Sequence, residues 1–438
     1  MSGHGPSTTR SSPAIAGVWA LFLGFALYQV GNGLQRILLP IRGQAEGIGA
    51  GSMGMVMAFH FAGYLIGAKF ITRALATVGH IRVFAALASL ASTAVLVNAI
   101  LVTPLSWSVV YMVSGFCNAG VFVVLESWLN DRASNTTRGM ILGLYMMFMM
   151  GGTAGGQLLI NVGPPQGFEL FVLSSVLISA AVIPVTLSAS STPPMTTPES
   201  MPVRELYRTI PSAVVGLFLC SFVQSAATSM GAVFGTEAGM STAKVASFTS
   251  VAVVGAVVLQ IPLGTLSDRY PRRGVIAIVG AISCAIAGLG TLVSPSSSLI
   301  LLVNFAFGAF VFPLYGQFVA LANDWIPPEK RLAAASGIVM VSGMGAVFSP
   351  MVLAFAMEAF GPVGYYGTLA TVLAMMVVYL LYRIQRREAV PVERQSTFQP
   401  VLARSGEMAH SVGRWVRHPL HEWLNHHGRR HVPPRDQT

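Results

Sequence analysis

Long apolar runs, separated by short polar or Gly/Pro-bearing stretches, follow one another along most of the chain. Twelve reach the ~20 residues that a helix needs to cross a hydrocarbon layer. They lie near 14–35, 50–73, 82–102, 105–128, 138–161, 168–188, 209–233, 244–266, 274–294, 298–321, 332–356 and 363–383. Runs of this length predict helices and exclude a barrel, whose strands are short and alternate in polarity. The polar positions carry a second regularity. Gly115, Asn130-Asp131, Arg138 and Gly152 recur as Gly308, Asn323-Asp324, Arg331 and Gly345, always 193 residues on. A constant offset across polar positions in an apolar background predicts two duplicated halves.

The expected fold is therefore an all-α membrane protein of twelve transmembrane helices in two pseudo-symmetric six-helix bundles. Residues 1–13 form an N-terminal tail, 14–188 the first bundle, 189–208 a Ser/Thr/Pro-rich linker, 209–384 the second bundle and 385–438 a tail. The first run continues into polar sequence without a cleavage site, so it reads as an uncleaved helix.

Composition agrees. Hydrophobic residues make up 53% of the chain and charged ones 10%, against about 25% charged in soluble domains. The net charge of +10 would fit a nucleic-acid partner, but its placement argues otherwise. With the N-terminus inside, inner loops and tails hold 23 of the 26 Lys and Arg, leaving Arg36, Arg42 and Lys244 outside. Basic residues gather on the cytoplasmic side, so both termini are expected in the cytoplasm and the protein in the plasma (inner) membrane. Cys117, Cys220 and Cys284 all fall inside spans and read as buried free thiols. No disulfide framework, metal-ligand spacing, cofactor motif or phosphate-cradling loop occurs, so no enzyme is expected.

The tail places Val401, Met408, Val412, Trp415, Val416, Leu420, Trp423 and Leu424 at three- to four-residue steps among Arg404, Arg414, Arg417 and His421. This predicts a basic amphipathic helix, broken at Pro419, on the inner leaflet. Six of the nine histidines sit there, and no metal site is expected.

The loop after the eighth run reads Gly264-Thr-Leu-Ser-Asp268-Arg269-Tyr-Pro-Arg272-Arg273. Here the chain resembles the major facilitator superfamily, whose signature is a Gly, then Asp-Arg, then two more basic residues. In the first half only Gly79-His80-Ile81-Arg82 fits, with Ala76 where the Asp belongs. The resemblance implies the major facilitator fold and a charge cluster that latches the halves, mostly through the C-terminal copy: Gly264, Asp268, Arg269, Arg272 and Arg273. Asn130, Asp131 and Arg138, with Asn323, Asp324 and Arg331, are expected to join it as short-loop ion pairs or cross-bundle partners. Glu126-Ser-Trp-Leu-Asn-Asp-Arg132, Thr137-Arg138-Gly139 and Gly79–Val83 are similar to the YcaD-like branch.

Spans one, four, seven and ten line the central cavity in this superfamily. Helical phase on them picks Gln29, Asn32 and Arg36, then Tyr111, Asn118 and Phe122, then Ser221, Gln224 and Thr228, then Asn304 and Tyr315. Arg36 would select an anionic or zwitterionic solute if it faced the cavity. Counted from Ile15 it falls at the outer membrane edge, where a long basic side chain snorkels. Glu126 and His60 are candidate proton sites. Tyr111 and Asn304 occupy the position where the family often has a proton-coupling arginine. Gly143, Gly152 and Gly156 resemble its antiporter signature, with Gln157 in place of the proline.

The expected function is a secondary active transporter that moves a small organic solute by alternating access, ion-coupled, with export favoured, as a monomer. Two alternatives stand beside it. A non-transporting membrane receptor or scaffold fits the loss of the usual charged coupling residues. A lipid translocase fits a rather apolar path in a chain of 21 methionines.

Overall fold

In the computed structural model, residues 13–132, 138–187 and 201–386 are described, with Pro391 and Gln395. The linker at 188–200 and the amphipathic helix expected in the C-terminal tail lie outside the described residues. The first six helices are α1 Pro13–Ala45, α2 Ala50–Val78, α3 His80–Ile100, α4 Pro104–Arg132, α5 Arg138–Leu158, and α6, which runs as Glu169–Ala180 and Val182–Leu187 on either side of Ala181. A short linker helix, Val203–Thr209, leads into the second six. These are α7 Pro211–Glu237, α8 Thr242–Arg269, α9 Arg272–Leu292, α10 Leu299–Asn323, α11 Arg331–Phe360 and α12 Val363–Arg386. Among the described residues ten of these are long and apolar enough to cross a membrane, and α1 and α5 complete the twelve of the fold. The protein is a multi-pass integral membrane protein. Several helices run past the apolar runs, α1 by about ten residues to Ala45.

The repeated glycines mark repeated packing. A Cβ on Gly115 of α4 would lie 1.9 Å from the His60 carbonyl oxygen of α2, and one on Gly308 of α10 would lie 2.1 Å from that of Ala252 on α8. Gly152 of α5 abuts Gln29 on α1, while Gly345 of α11 abuts the Phe218 carbonyl on α7. Helices two and four of each half therefore touch backbone to backbone, as do helices one and five. Close approach through small residues is how helices associate where lipid offers no hydrophobic driving force.

Equivalent helix ends are also built alike. In α1 the Ile48 N–H donates to the Gly43 carbonyl (2.8 Å), and in α7 the Met240 N–H donates to that of Gly235 (2.9 Å). Each cap turns on a glycine in the left-handed region, Gly47 at φ 74° and Gly239 at φ 72°, which a side chain would strain.

Polar groups inside each bundle are bonded across helices. Ser92 of α3 pairs with Ser175 of α6 (2.7 Å) and accepts from Ser179 (2.8 Å). Ser174 donates to the Gly31 carbonyl (2.8 Å) and Gln35 to Ser114 (3.4 Å).

The two halves meet at the end of the molecule away from the chain termini. Gln44 Nε2 at the end of α1 donates to the Thr236 carbonyl at the end of α7 (2.7 Å). The Gly51 N–H in the first turn of α2 donates to the Glu358 carboxylate of α11 (2.8 Å). Ser250 of α8 donates to Gln157 of α5 (3.2 Å). Further along, Gly54 rests on Ala354 and Gly343 on Leu65.

Gly115→Val and Gly308→Val should each lower stability by about 1–3 kcal/mol through overpacking, read as a lower melting temperature in detergent. Gly274→Ala, at a helical glycine with nothing within 4 Å, should leave it unchanged or higher.

Candidate functional site

A cavity that opens to solvent, about 660 Å³ of atom-free space with its open mouth included, lies between the halves. Helix α1 gives it Gln29 and Arg36, α4 gives Phe122, and α5 gives Met149, Met150 and Thr153. From the other half come Gln224, Ser225 and Thr228 of α7, Val253 of α8 and Phe312 of α10. A smaller cavity of about 370 Å³ lies between α2, α7 and α11 and shares Ser225 with the first. Ser221 lines this second space together with Tyr64 and Ser342.

Several wall positions are held by bonds. Gln29 Nε2 donates to Thr153 Oγ1 (3.4 Å), whose hydroxyl donates to the Met149 carbonyl (2.8 Å). Gln224 Nε2 reaches the carbonyls of Val311 (2.9 Å) and Phe312 (3.1 Å) on α10. These precede Pro313, where the missing N–H and the ring disturb the helix's own bonding. The Gln224 amide thus braces the disturbed turn and presents Phe312 to the cavity. Thr228 donates back to the Gln224 carbonyl (2.9 Å).

Arg36 lines the cavity, and Gln44, which helps seal the halves, lies eight residues farther along α1, or about 12 Å of helical rise. Helix α1 continues past the apolar run to Ala45. Among the described residues no carboxylate lies within salt-bridge distance of Arg36, and no hydrogen bond holds it.

Of the other residues chosen by helical phase, Gln29, Phe122, Gln224 and Thr228 share the larger cavity. Asn32, Tyr111, Asn118, Asn304 and Tyr315 are buried and line neither cavity described here. Asn304 is held within the second bundle: its Nδ2 donates to the Phe248 carbonyl (2.7 Å), and Tyr366 donates to its Oδ1 (3.2 Å). Tyr111 packs on His60, ring centroids 4.4 Å apart, inside the first bundle. Met149, Met150, Thr153 and Val253 were not anticipated, because they stand on helices that the resemblance does not assign to the cavity.

Glu126 is buried near the inner end of α4 and accepts from the Tyr145 hydroxyl (2.8 Å). The Tyr145 ring stacks on Phe25 (5.2 Å), and Phe25 meets Phe122 edge to face (5.7 Å) on the cavity wall.

The charged loop after α8 forms a cluster with the end of α10. Arg272, 1% exposed, lies 3.0 Å from Asp268 and 3.2 Å from Asp324 Oδ2, whose side chain is equally buried. Arg273 lies over the Trp325 ring (5.4 Å). Arg331 donates to the carbonyls of Asn323 (2.9 Å) and Ile326 (3.3 Å). Gly264 accepts from Ser267 (2.8 Å), and Arg269 is exposed. These bonds tie α8, α9, α10 and α11 together at one end of one half. The side chains of Asn130, Asp131 and Arg138 lie outside the described residues.

Comparison with known proteins places these features. A family model described as Major Facilitator Superfamily matches residues 213–424. An uncharacterised MFS-type transporter of Yersinia enterocolitica is 24% identical over 78% of this chain and 89% of its own. Another, of Enterobacter sp. strain 638, is 24% identical over 88% and 99%. The MFS-type transporter YcaD of Salmonella heidelberg is 23% identical over 78% and 89%. Among solved structures, the nucleoside transporter NupG superposes with a TM-score of 0.71 at 12% identity, over 86% of this chain and 100% of that one. A bacterial homologue of the human lysosomal transporter Spinster, inward-facing and unoccupied, gives 0.65 at 15% identity over 92% and 98%.

Removing Arg272 leaves Asp324 buried beside a missing cation. Arg272→Met should cost about 3–5 kcal/mol, seen as a sharp fall in melting temperature. The pair Arg272→Met with Asp324→Leu should recover most of the loss. Equal loss in both proteins would mean that the ion pair does not hold this corner.

Proposed function

We propose, on the match of the Major Facilitator Superfamily model to residues 213–424 and the similarity to MFS-type transporters including YcaD, that the chain is a secondary active transporter that moves a small organic solute by alternating access. The observation that carries this reading is a cavity shared by both halves and closed at one end by bonds and helix packing between them. Gln44–Thr236, Gly51–Glu358 and Gln157–Ser250 form that seal. The asymmetry of Lys and Arg puts both termini in the cytoplasm, which makes the sealed end the outer one and the present state inward-facing. Inorganic ion or solute gradients supply the energy.

Glu126 is the proton site we favour over His60. His60 stacks on Tyr111 within its own bundle, whereas Glu126 is a buried carboxyl bonded to Tyr145, one helical turn along α4 from the wall residue Phe122. Export is favoured on the α5 glycines that resemble the antiporter signature. Gly152 and Gly156 also have packing work against α1, so direction rests on the resemblance. The Asp268–Arg272–Asp324 cluster keeps the inner end of the second bundle together as it rocks, and its latch across the halves belongs to this reading. So do a monomer in the inner membrane, a basic tail on the inner leaflet, and the absence of a nucleic-acid partner.

Two tests apply. With Cys117, Cys220 and Cys284 replaced by Ala, Gln44→Cys and Thr236→Cys joined by a short bifunctional thiol reagent should stop solute exchange in liposomes, and a cleavable reagent should restore it on cleavage. Solute binding with no flux in the uncrosslinked protein would instead support a receptor. In the second, an imposed pH gradient should accelerate wild-type flux several-fold but not that of Glu126→Gln, whose flux down a solute gradient should persist. An unaltered pH response in the variant would remove Glu126 from the coupling role.

A further inference from the structure

Arg36 sets the solute class. Of the residues lining the larger cavity it alone is charged, and the others are amides, hydroxyls, methionines, a valine and two phenylalanines. A guanidinium carries five N–H donors and stays charged. Within a membrane protein such a group ordinarily pairs with a carboxylate or with backbone carbonyls. The buried arginine of the second half does so: Arg272 has Asp268 and Asp324. Arg36 has neither among the described residues, and its half-buried side chain opens onto the cavity.

Its neighbours restrict the remainder of the solute. Phe122 and Phe312 come from opposite halves, and Met149 and Met150 line the α5 side. Thioether and aromatic surfaces take flat or irregular apolar bodies.

Resting on the transporter reading above, we propose that the transported solute is an organic anion. Its carboxylate or other planar oxyanion engages the Arg36 fork at the sealed end of the cavity. Its apolar body lies against Phe122, Phe312, Met149 and Met150. The site is completed from both halves, so bound anion would neutralise Arg36 and draw the two walls together.

The test uses three probes with one apolar body: 2-naphthoate, 2-naphthamide and 2-naphthylmethyl-trimethylammonium. Binding to the full-length protein is measured by calorimetry in detergent, and flux in liposomes. The anion should bind wild type about ten- to a hundredfold more tightly than the amide, the factor expected for charge-assisted hydrogen bonds. The cation should bind least. Arg36→Gln should remove the preference for the anion while keeping affinity for the amide, which also shows that the variant is folded. Arg36→Lys should retain part of the preference, since it keeps the charge but loses the fork.

Equal binding of anion and amide by wild type, or an anion preference that survives Arg36→Gln, overturns the proposal. Flux of the amide or the cation alone, unaffected by Arg36→Gln, overturns it while leaving the transporter intact. Anion binding that depends on Arg36 without flux of any probe supports the site and overturns the transporter reading. Scrambling of labelled phosphatidylglycerol that Arg36→Gln abolishes, with no binding of 2-naphthoate, replaces the soluble anion by a lipid and overturns the class proposed here.

Discussion

Water does not reach the hydrocarbon layer, so each polar group placed there has to find its partner inside the protein. Most of this chain obeys. Asn304 uses both ends of its amide, Gln224 braces the turn before Pro313, and the serines of α3 and α6 bond one another. Arg272 and Asp324, the most costly groups to bury, neutralise each other at the inner end. Against this background an arginine that opens onto a cavity without a carboxylate is a departure with a direction. The protein has left one strong donor set for something that is not part of its own chain.

Duplication accounts for much of the remaining order. The same backbone contacts recur between α2 and α4 and between α8 and α10, each through a glycine that admits no Cβ. The same cap ends α1 and α7, and these two ends touch near the axis relating the halves. Chemistry breaks the symmetry that packing keeps. The second half holds the acidic and basic loop cluster, whereas the first has Ala76 at the corresponding Asp. Arg36 belongs to the first half alone. Two similar bundles can therefore move as units while only one face of the path carries charge.

The spans and the repeat were legible because length and offset are properties of the chain itself. Ten candidate spans and the family match agree with the twelve-helix reading. The cavity was legible only in part. Helical phase identifies a polar stripe, but a stripe faces a cavity or a neighbouring helix with equal ease. Gln29, Gln224 and Thr228 took the first course, and Asn304 took the second because Phe248 and Tyr366 stand opposite it. Met149 and Met150 could not be singled out, since a methionine among methionines in α5 carries no local mark. Thr153 is a polar residue on α5, a helix that the resemblance does not assign to the cavity. Arg36 was read at the end of an apolar run, and the helix runs on to Ala45, since an apolar run ends where polarity begins whereas a helix ends where its cap forms.

The seal and the inner cluster differ in kind, and the difference bears on movement. Three hydrogen bonds across the halves, at about 0.5–1.5 kcal/mol each, stand beside the packing of α2 on α11 at Gly54 and Gly343. A two-state carrier needs these contacts balanced by those of its other state, because a ligand shifts an equilibrium only by its differential affinity for the two states. The Arg272 cluster costs more to break but lies within one bundle, so rocking leaves it intact. Strong bonds inside each half and weak ones between them favour rigid-body motion over local unfolding. An anion at Arg36 touches both halves beneath the seal, where a gain of a few kcal/mol is enough to decide which end stays closed.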